Sequence, residues 1–311
     1  LPHSESEKDK YADAAALFRI WQDEGILCRD QQPAFYLMRQ SFSNERSKYE
    51  RYGLMACVRL EEWEKGIILP HELTSNEPKK DRLALMEACA ANFSPVMAFY
   101  RDPSGQMDNA LRAIRESVPD DQFHMEDGTS YAMWLIKNEG TIHNIRRSLA
   151  NQSLYIADGH HRYETALAYR AKRREGGFGN SSDACNFVLM TLISFDDPGL
   201  LVLPYHRLAG KMDQSTFNHL WARIEELFSI NPASSEAISP ANLVNLVQKQ
   251  HSNSMTLGLL GPNNLGPYLI TPHSSAKLGS GQLPGQDILQ KVQAWVIHEE
   301  ILRPVLGQNL E

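Results

Sequence analysis

Apolar residues recur along this chain at two periods, and the alternation between those periods predicts a mixed α/β architecture. Tyr11, Ala14, Ala15, Leu17, Phe18 and Trp21 keep helical spacing between Lys10 and Glu24, with Gly25 placed to close the helix. Pro33 precedes AFYLMRQSF, a strand-like run. GLMACVRL at 53–60 is its expected antiparallel partner across the charged loop NERSKYERY. Ile67, Ile68 and Leu69 form a short run that stops at Pro70. The helix DRLALMEACAAN is expected from Asp81 to Asn92, the buried strand SPVMAFYRD over 94–102, and an amphipathic helix from Met107 to Val118. Two strand runs around Glu126-Asp127-Gly128 predict a hairpin, with His124 and Trp134 read as packing residues. A short helix from Thr141 to Leu149 follows.

The stretch SLYIADGHHRYETALAYR, Ser153 to Arg170, is the centre of the pattern. Leu154, Tyr155, Ile156 and Ala157 have the composition of a buried strand. The run breaks at Asp158-Gly159. Tyr163, Ala166, Leu167 and Tyr169 then recur at helical spacing, so the reading is strand, tight turn, helix. RAKRREGGFGNSSD, 170–183, is expected to be a Gly/Ser-rich loop or flap. NFVLMTLISF, 186–195, is a strand, and LLVLPYHRL after Asp196-Asp197-Pro198-Gly199 is another. Composition shifts after Gly210. Helices at 213–229 and 240–250, a hairpin across Pro262-Asn263-Asn264 and a last helix from Asp287 to Leu306 fill the remainder. The division expected is a core at 10–209 and a smaller α+β module at 210–311.

Charge and composition narrow the class. The net charge of −7 and a pI near 5.9 argue against a general nucleic-acid binder. No apolar run approaches the roughly 18 residues of a membrane span, and no signal pattern opens the sequence, so a cytoplasmic protein is expected. Cys28, Cys57, Cys89 and Cys185 lie far apart without CxxC spacing, and read as reduced, mostly buried small hydrophobes.

The candidate chemistry sits at strand ends. Asp158, His160, His161 and Arg162 crowd the start of a helix, where partial positive charge and backbone N–H groups favour phosphate or another oxyanion. Asp before Gly is ordinary turn chemistry and an exposed HHR is often a solvated face. Four reactive groups in five residues directly after an apolar strand are nonetheless a poor way to build a plain turn. His160 and His161 are adjacent and point in different directions, unlike a metal pair at i, i+4. His71 and Glu72 emerge from the run at 67–69, and Lys79, Lys80, Asp81 and Arg82 open the next helix within reach of them. His206 and Arg207 follow the run at 200–203. Polar groups at sheet ends commonly converge on one crevice.

Together RDQQPAFYLMRQSF, GIILPHELTSNEPKKDRLALMEACAANFSPVMAFYRD, YIADGHHRYETALAYR and DDPGLLVLPYHRL resemble the domain-of-unknown-function family 1015, in order along most of the chain. The resemblance implies that members extend beyond both ends of this sequence. More distantly, a strand ending in PHE, a helix, a strand, and a later DGHHR opening a helix is similar to the ParB and sulfiredoxin superfamily, including its free-serine kinases. This chain departs from the compact members by residues 103–152, inserted between the paired motifs.

The second resemblance implies a phosphate-binding turn at Asp158, Gly159, His160, His161 and Arg162, with Glu72 as base toward a hydroxyl. His71 or His160 would act as acid or orienting group, Asp158 would hold Mg²⁺ through water, and Lys79, Arg82, His206 and Arg207 would add phosphate contacts. The function expected is therefore a phosphotransferase using ATP or ADP with Mg²⁺ on a small hydroxyl-bearing metabolite. A nucleotide-sensing switch, with closure or homodimerisation as its output, and a phosphate-ester hydrolase are the alternatives.

Overall fold

The computed structural model describes residues 7–44, 47–71, 77–177, 180–203, 206–234, 239–250, 255–261, 266–276, 278 and 293–307. The chain divides into two compact units, Leu1–Val202 and Leu203–Glu311.

The first unit is mixed α/β, as the alternating periods predict. In chain order it contains α1 (Glu7–Asp23), β1 (Phe35–Asn44), β2 (Ser47–Arg59), β3 (Ile68–Leu69), α2 (Glu77–Cys89), β4 (Val96–Tyr100), α3 (Gln106–Arg115), β5 (Asp121–His124), β6 (Ser130–Ile136), α4 (Glu139–Leu149), β7 (Leu154–Asp158), α5 (His160–Glu175) and β8 (Phe187–Ser194). The strands form one eight-stranded sheet in the order β3-β7-β4-β8-β2-β1-β6-β5. β3 and β7 run parallel, β4 runs antiparallel to β7, and β4 and β8 run parallel. The C-terminal ends of β3 and β7 and the N-terminal end of β4 therefore lie along one edge of the sheet, and the candidate site is built on that edge.

Period-2 burial explains the strands: Val96, Ala98 and Tyr100 of β4, and Ala132, Trp134 and Ile136 of β6, are buried while their neighbours are not. Leu37, Leu54, Ile68, Val96, Ile156, Val188 and Met190 join in one core, with Tyr163 and Ala166 of α5 packed into it. Asn138 starts α4 by accepting the Thr141 backbone N–H at 2.9 Å.

Several local expectations change. The charged stretch 44–52 is mostly strand and not loop, because Phe42 and Tyr49 face each other in register and stack at 5.7 Å. α2 begins at Glu77 and ends at Cys89, with Ala90 in the left-handed region at φ 49°. The helix that opens at His160 continues through 170–175, where a loop was expected. Arg170 is buried there and donates to the Leu60 carbonyl at 2.6 Å. No strand forms among the described residues of 200–208; Val202 is 90% exposed and Leu208 98% exposed, so those apolar positions lack the burial that makes a strand. Trp134 packs in the core, whereas His124 lies exposed on edge strand β5. All four cysteines are free, Cys28 and Cys57 are exposed, and the other two are half-buried, so none is a core residue.

The second unit holds α6 (Gln214–Leu227), β9 (Phe228–Pro232), α7 (Pro240–Gln250), β10 (Leu257–Leu260) and β11 (Pro267–Pro272). Asp213 caps α6 by accepting the Thr216 N–H at 2.7 Å. The three strands order as β10-β11-β9, all antiparallel, so the expected β10/β11 hairpin is present; its turn at 262–264 lies outside the described residues. Gln293–Trp295, Val296–Leu302 and Arg303–Leu306 run on as one helix with a π-helical middle, and 287–292 lie outside the description. Leu220, Ile224, Phe228, Leu257, Ile270 and Val296 make this unit's core. No described helix is long and apolar enough to cross a membrane.

Candidate functional site at the β3, β7 and α5 ends

β7 ends at Asp158, and the chain turns through Gly159 at φ 95° straight into α5. Glycine is needed there twice. Its φ lies where a side chain costs energy, and a Cβ would stand 2.9 Å from Arg162 Nε and 3.0 Å from Cζ. The Arg162 side chain is thus laid back over the turn. Its Nη2 donates to Asp158, and its Nη1 donates to Ser94 Oγ at 2.7 Å and to the Pro95 carbonyl. No side chain caps α5, and its first turn holds no acidic residue. The positive end of this helix therefore carries a guanidinium above it, paired with the exposed Asp158 carboxylate.

β3 pairs with β7 for only two residues, Ile68 with Leu154 and Leu69 with Tyr155. Pro70 follows, and a residue without an N–H cannot continue a ladder. His71 closes the end in a different way. Its ring Nδ1 lies 2.7 Å from the Ile156 carbonyl, and its backbone N–H donates to His160 Nε2 at 3.3 Å. The two rings meet edge to face with centroids 4.5 Å apart.

These bonds fix proton positions. A carbonyl can only accept, so His71 Nδ1 carries a proton. A backbone N–H can only donate, so His160 Nε2 is the acceptor of that bond. His160 is 3% exposed, and His71 is exposed with no hydrogen bond from its Nε2 to a described residue. β3 and β4 flank β7.

α5 is held rigidly enough to keep this geometry. Tyr163 Oη donates to the Glu61 carbonyl at 2.8 Å and accepts the Glu61 N–H at 2.9 Å, and the ring packs on Trp63 with centroids 4.6 Å apart. Burial pushes the Tyr163 phenol up to about 12. Arg170 binds Glu62 as well as the Leu60 carbonyl. Ion pairs Lys79–Glu164 and Lys172–Glu87 tie α5 to α2.

The predicted residues fall into three groups. Asp158, Gly159, His160, Arg162 and His71 come together, and His161 stands beside them as the second residue of α5. Lys79 is on α2 with its charge on Glu164, and Arg82 is exposed on the same helix beside Asp81. His206 and Arg207 are exposed residues of the second unit. Glu72 lies outside the described residues. Ser94, the Pro95 carbonyl and the Ile156 carbonyl complete the site without any sequence signal beyond their place at strand ends.

Among the described residues no three His, Cys, Asp or Glu side chains gather as a metal site. Asp158 supplies one carboxylate shared with Arg162. Mg²⁺ is commonly held by one or two carboxylates together with waters and substrate phosphates, and Asp158 offers one such carboxylate.

No curated protein and no solved structure matches this chain. A family model described as "Protein of unknown function (DUF1015)" matches residues 1–279. That match spans most of the sequence and includes every residue of the site just described, and the chain belongs to the DUF1015 family.

Proposed function

We propose that this protein is a nucleotide-dependent phosphotransferase acting on a small hydroxyl-bearing metabolite, with nucleotide phosphates held at the Asp158–Arg162 turn. The observation that carries the reading is the guanidinium of Arg162 fixed over the start of α5, whose N-cap makes no side-chain hydrogen bond. Helix N-termini and arginine forks are both recurrent ways for a protein to hold phosphate, and here they coincide. Phosphoryl transfer asks a protein mainly for positioning and for positive charge against the equatorial oxygens. Arg162 supplies the charge, and the α5 backbone the dipole. Glu72, next to His71 in sequence, is the proposed acceptor of the hydroxyl proton. Asp158 would join a Mg²⁺ delivered with the phosphates, which supplies further charge when bound. The similarity of the PHE and DGHHR segments to free-serine kinases of the ParB and sulfiredoxin superfamily supports the same reading.

The test is a thermal-shift screen of ATP, ADP, CTP and pyrophosphate with and without Mg²⁺. A ligand at 100 times its Kd stabilises the native state by about 2.7 kcal/mol. A shift with at least one nucleotide, lost in Arg162→Ala and changed in Asp158→Asn, supports the assignment; no shift with any of them refutes it. The Asp158–Arg162 pair must open for Arg162 to face a phosphate, and that favours a second reading, a nucleotide-sensing switch. Steady product formation against one nucleotide bound without turnover separates the two.

A further inference from the structure

We infer that His71 is a phosphoryl carrier: its Nε2 takes the terminal phosphoryl group from the nucleotide before the hydroxyl acceptor receives it. This rests on the phosphotransferase reading and deepens it, because it makes the reaction a double displacement.

Three observations point to His71. The Ile156 carbonyl at 2.7 Å takes the Nδ1 proton as its donor, so Nε2 is the ring nitrogen on which a lone pair can be presented. That nitrogen belongs to an exposed residue and has no hydrogen bond to a described one. The backbone N–H of the same residue donates to His160 Nε2 at 3.3 Å, so His71 is held both through its ring Nδ1 and through its main chain. His160 cannot serve instead. It is 3% exposed, and its own bare nitrogen is occupied by the His71 N–H.

The anchor on Nδ1 is a carbonyl and not a carboxylate. An anchoring carboxylate suits a ring that must hold a second proton during catalysis, as in hydrolytic triads. A carbonyl orients the ring without adding charge, which suits a nitrogen that bonds phosphorus. The same Nδ1–H bond strengthens when the phosphorylated ring becomes cationic.

In the first step the Nε2 lone pair forms a bond to the terminal phosphorus. The bond from that phosphorus to the bridging oxygen breaks, and the nucleoside diphosphate leaves with the electron pair. In the second step the acceptor hydroxyl oxygen bonds to phosphorus, the N–P bond breaks and its pair returns to Nε2. The hydroxyl proton goes to a carboxylate or to water.

Such an enzyme exchanges label between ADP and ATP without any acceptor, which makes the test independent of the unidentified substrate. The full chain is incubated with ATP, Mg²⁺ and radiolabelled ADP, and label in ATP is followed; in parallel, acid-labile phosphate on the protein is mapped from γ-labelled ATP. Exchange and a label on His71 are expected, with both reduced at least a hundredfold in His71→Asn. Asparagine keeps an amide N–H where Nδ1 stood and so preserves the bond to Ile156; His71→Gln is the second variant should the first not fold. Thermal shift with ATP is expected to persist in the variant. A native protein that is shifted by ATP yet shows neither exchange nor bound phosphate overturns the carrier and leaves the phosphotransferase reading standing. Undiminished exchange in a folded His71 variant also overturns the carrier, and no shift with any nucleotide overturns both.

Discussion

The backbone N–H of His71 donates to Nε2 of His160, and this bond joins the end of β3 to the first residue of α5. It couples two segments that lie far apart in sequence, because β3 and β7 are parallel neighbours and α5 grows directly out of β7. His160→Ala leaves that N–H without its acceptor and opens space below the His71 ring. An unsatisfied, partly buried donor costs about 1–3 kcal/mol. The urea midpoint is expected to fall by a corresponding amount with an unchanged slope, and nucleotide-induced stabilisation is expected to weaken with it. An unaltered midpoint would mean that the bond does not anchor β3.

Gly159→Ala tests the turn itself. A Cβ in the left-handed region costs roughly 1–2 kcal/mol, and here it also meets the Arg162 guanidinium at 2.9 Å. Loss of stability in denaturant is expected together with loss of any nucleotide-induced thermal shift, because Arg162 is pushed off Ser94 and Pro95. A variant that melts lower but keeps the full nucleotide shift would show that Arg162 is not a phosphate ligand.

Tyr163 gives an alkaline signature. Its phenol rises from 10.0 to about 12 on folding. A pKa raised by folding means stability that is complete below about pH 10 and lost as pH climbs toward 12. Native protein is expected to lose stability over that window. Tyr163→Phe should flatten that part of the profile while costing about 1–3 kcal/mol near neutrality, since the Glu61 N–H loses its acceptor. Urea unfolding across pH 8 to about 11 reads both effects; an alkaline loss unchanged in Tyr163→Phe would assign it to another group.

What the sequence made legible follows from how local each signal is. The strand, turn and helix at 153–170 are written in consecutive residues: a short apolar run with β-branched and aromatic members, Asp-Gly, then helical spacing. The pairing of the His71 segment with that turn was accessible because both carry polar groups at strand ends. Ser94 and the Pro95 carbonyl were not, because their contact with Arg162 depends on β4 lying antiparallel beside β7, a matter of sheet order. Polar composition hid the last turns of α5, where Arg170 is buried by its bonds to Leu60 and Glu62. Hydrophobic composition misled in the opposite sense at 200–208, where Val202 and Leu208 are exposed.

At the acid end, Asp81 tests the contact between α1 and α2. Hydrogen bonds from the Lys10 ammonium at 2.9 Å and then from Tyr11 at 2.7 Å hold its carboxyl below 3.8. A pKa lowered by folding means stability that is present above the ordinary carboxylate range and lost as pH falls through the native value. The contribution is small, because both partners are exposed, and salt screens it. Asp81→Asn is expected to lower the urea midpoint slightly at about pH 6, with a difference from the native protein that shrinks steadily as pH falls below the ordinary carboxylate range and at about 1 M salt. A difference that persisted under either condition would assign the effect to packing.

The central claim is that nucleotide phosphates lodge between the His71 strand end and the Asp158–Arg162 turn. Amide hydrogen exchange measured with and without Mg²⁺ and the nucleotide that shifts melting tests it most directly. Slower exchange is expected in peptides covering residues 159–163 and 70–71, with α6 and the β9–β11 sheet unchanged. Protection confined to the second unit, or none at the start of α5 under saturating nucleotide, would contradict the account.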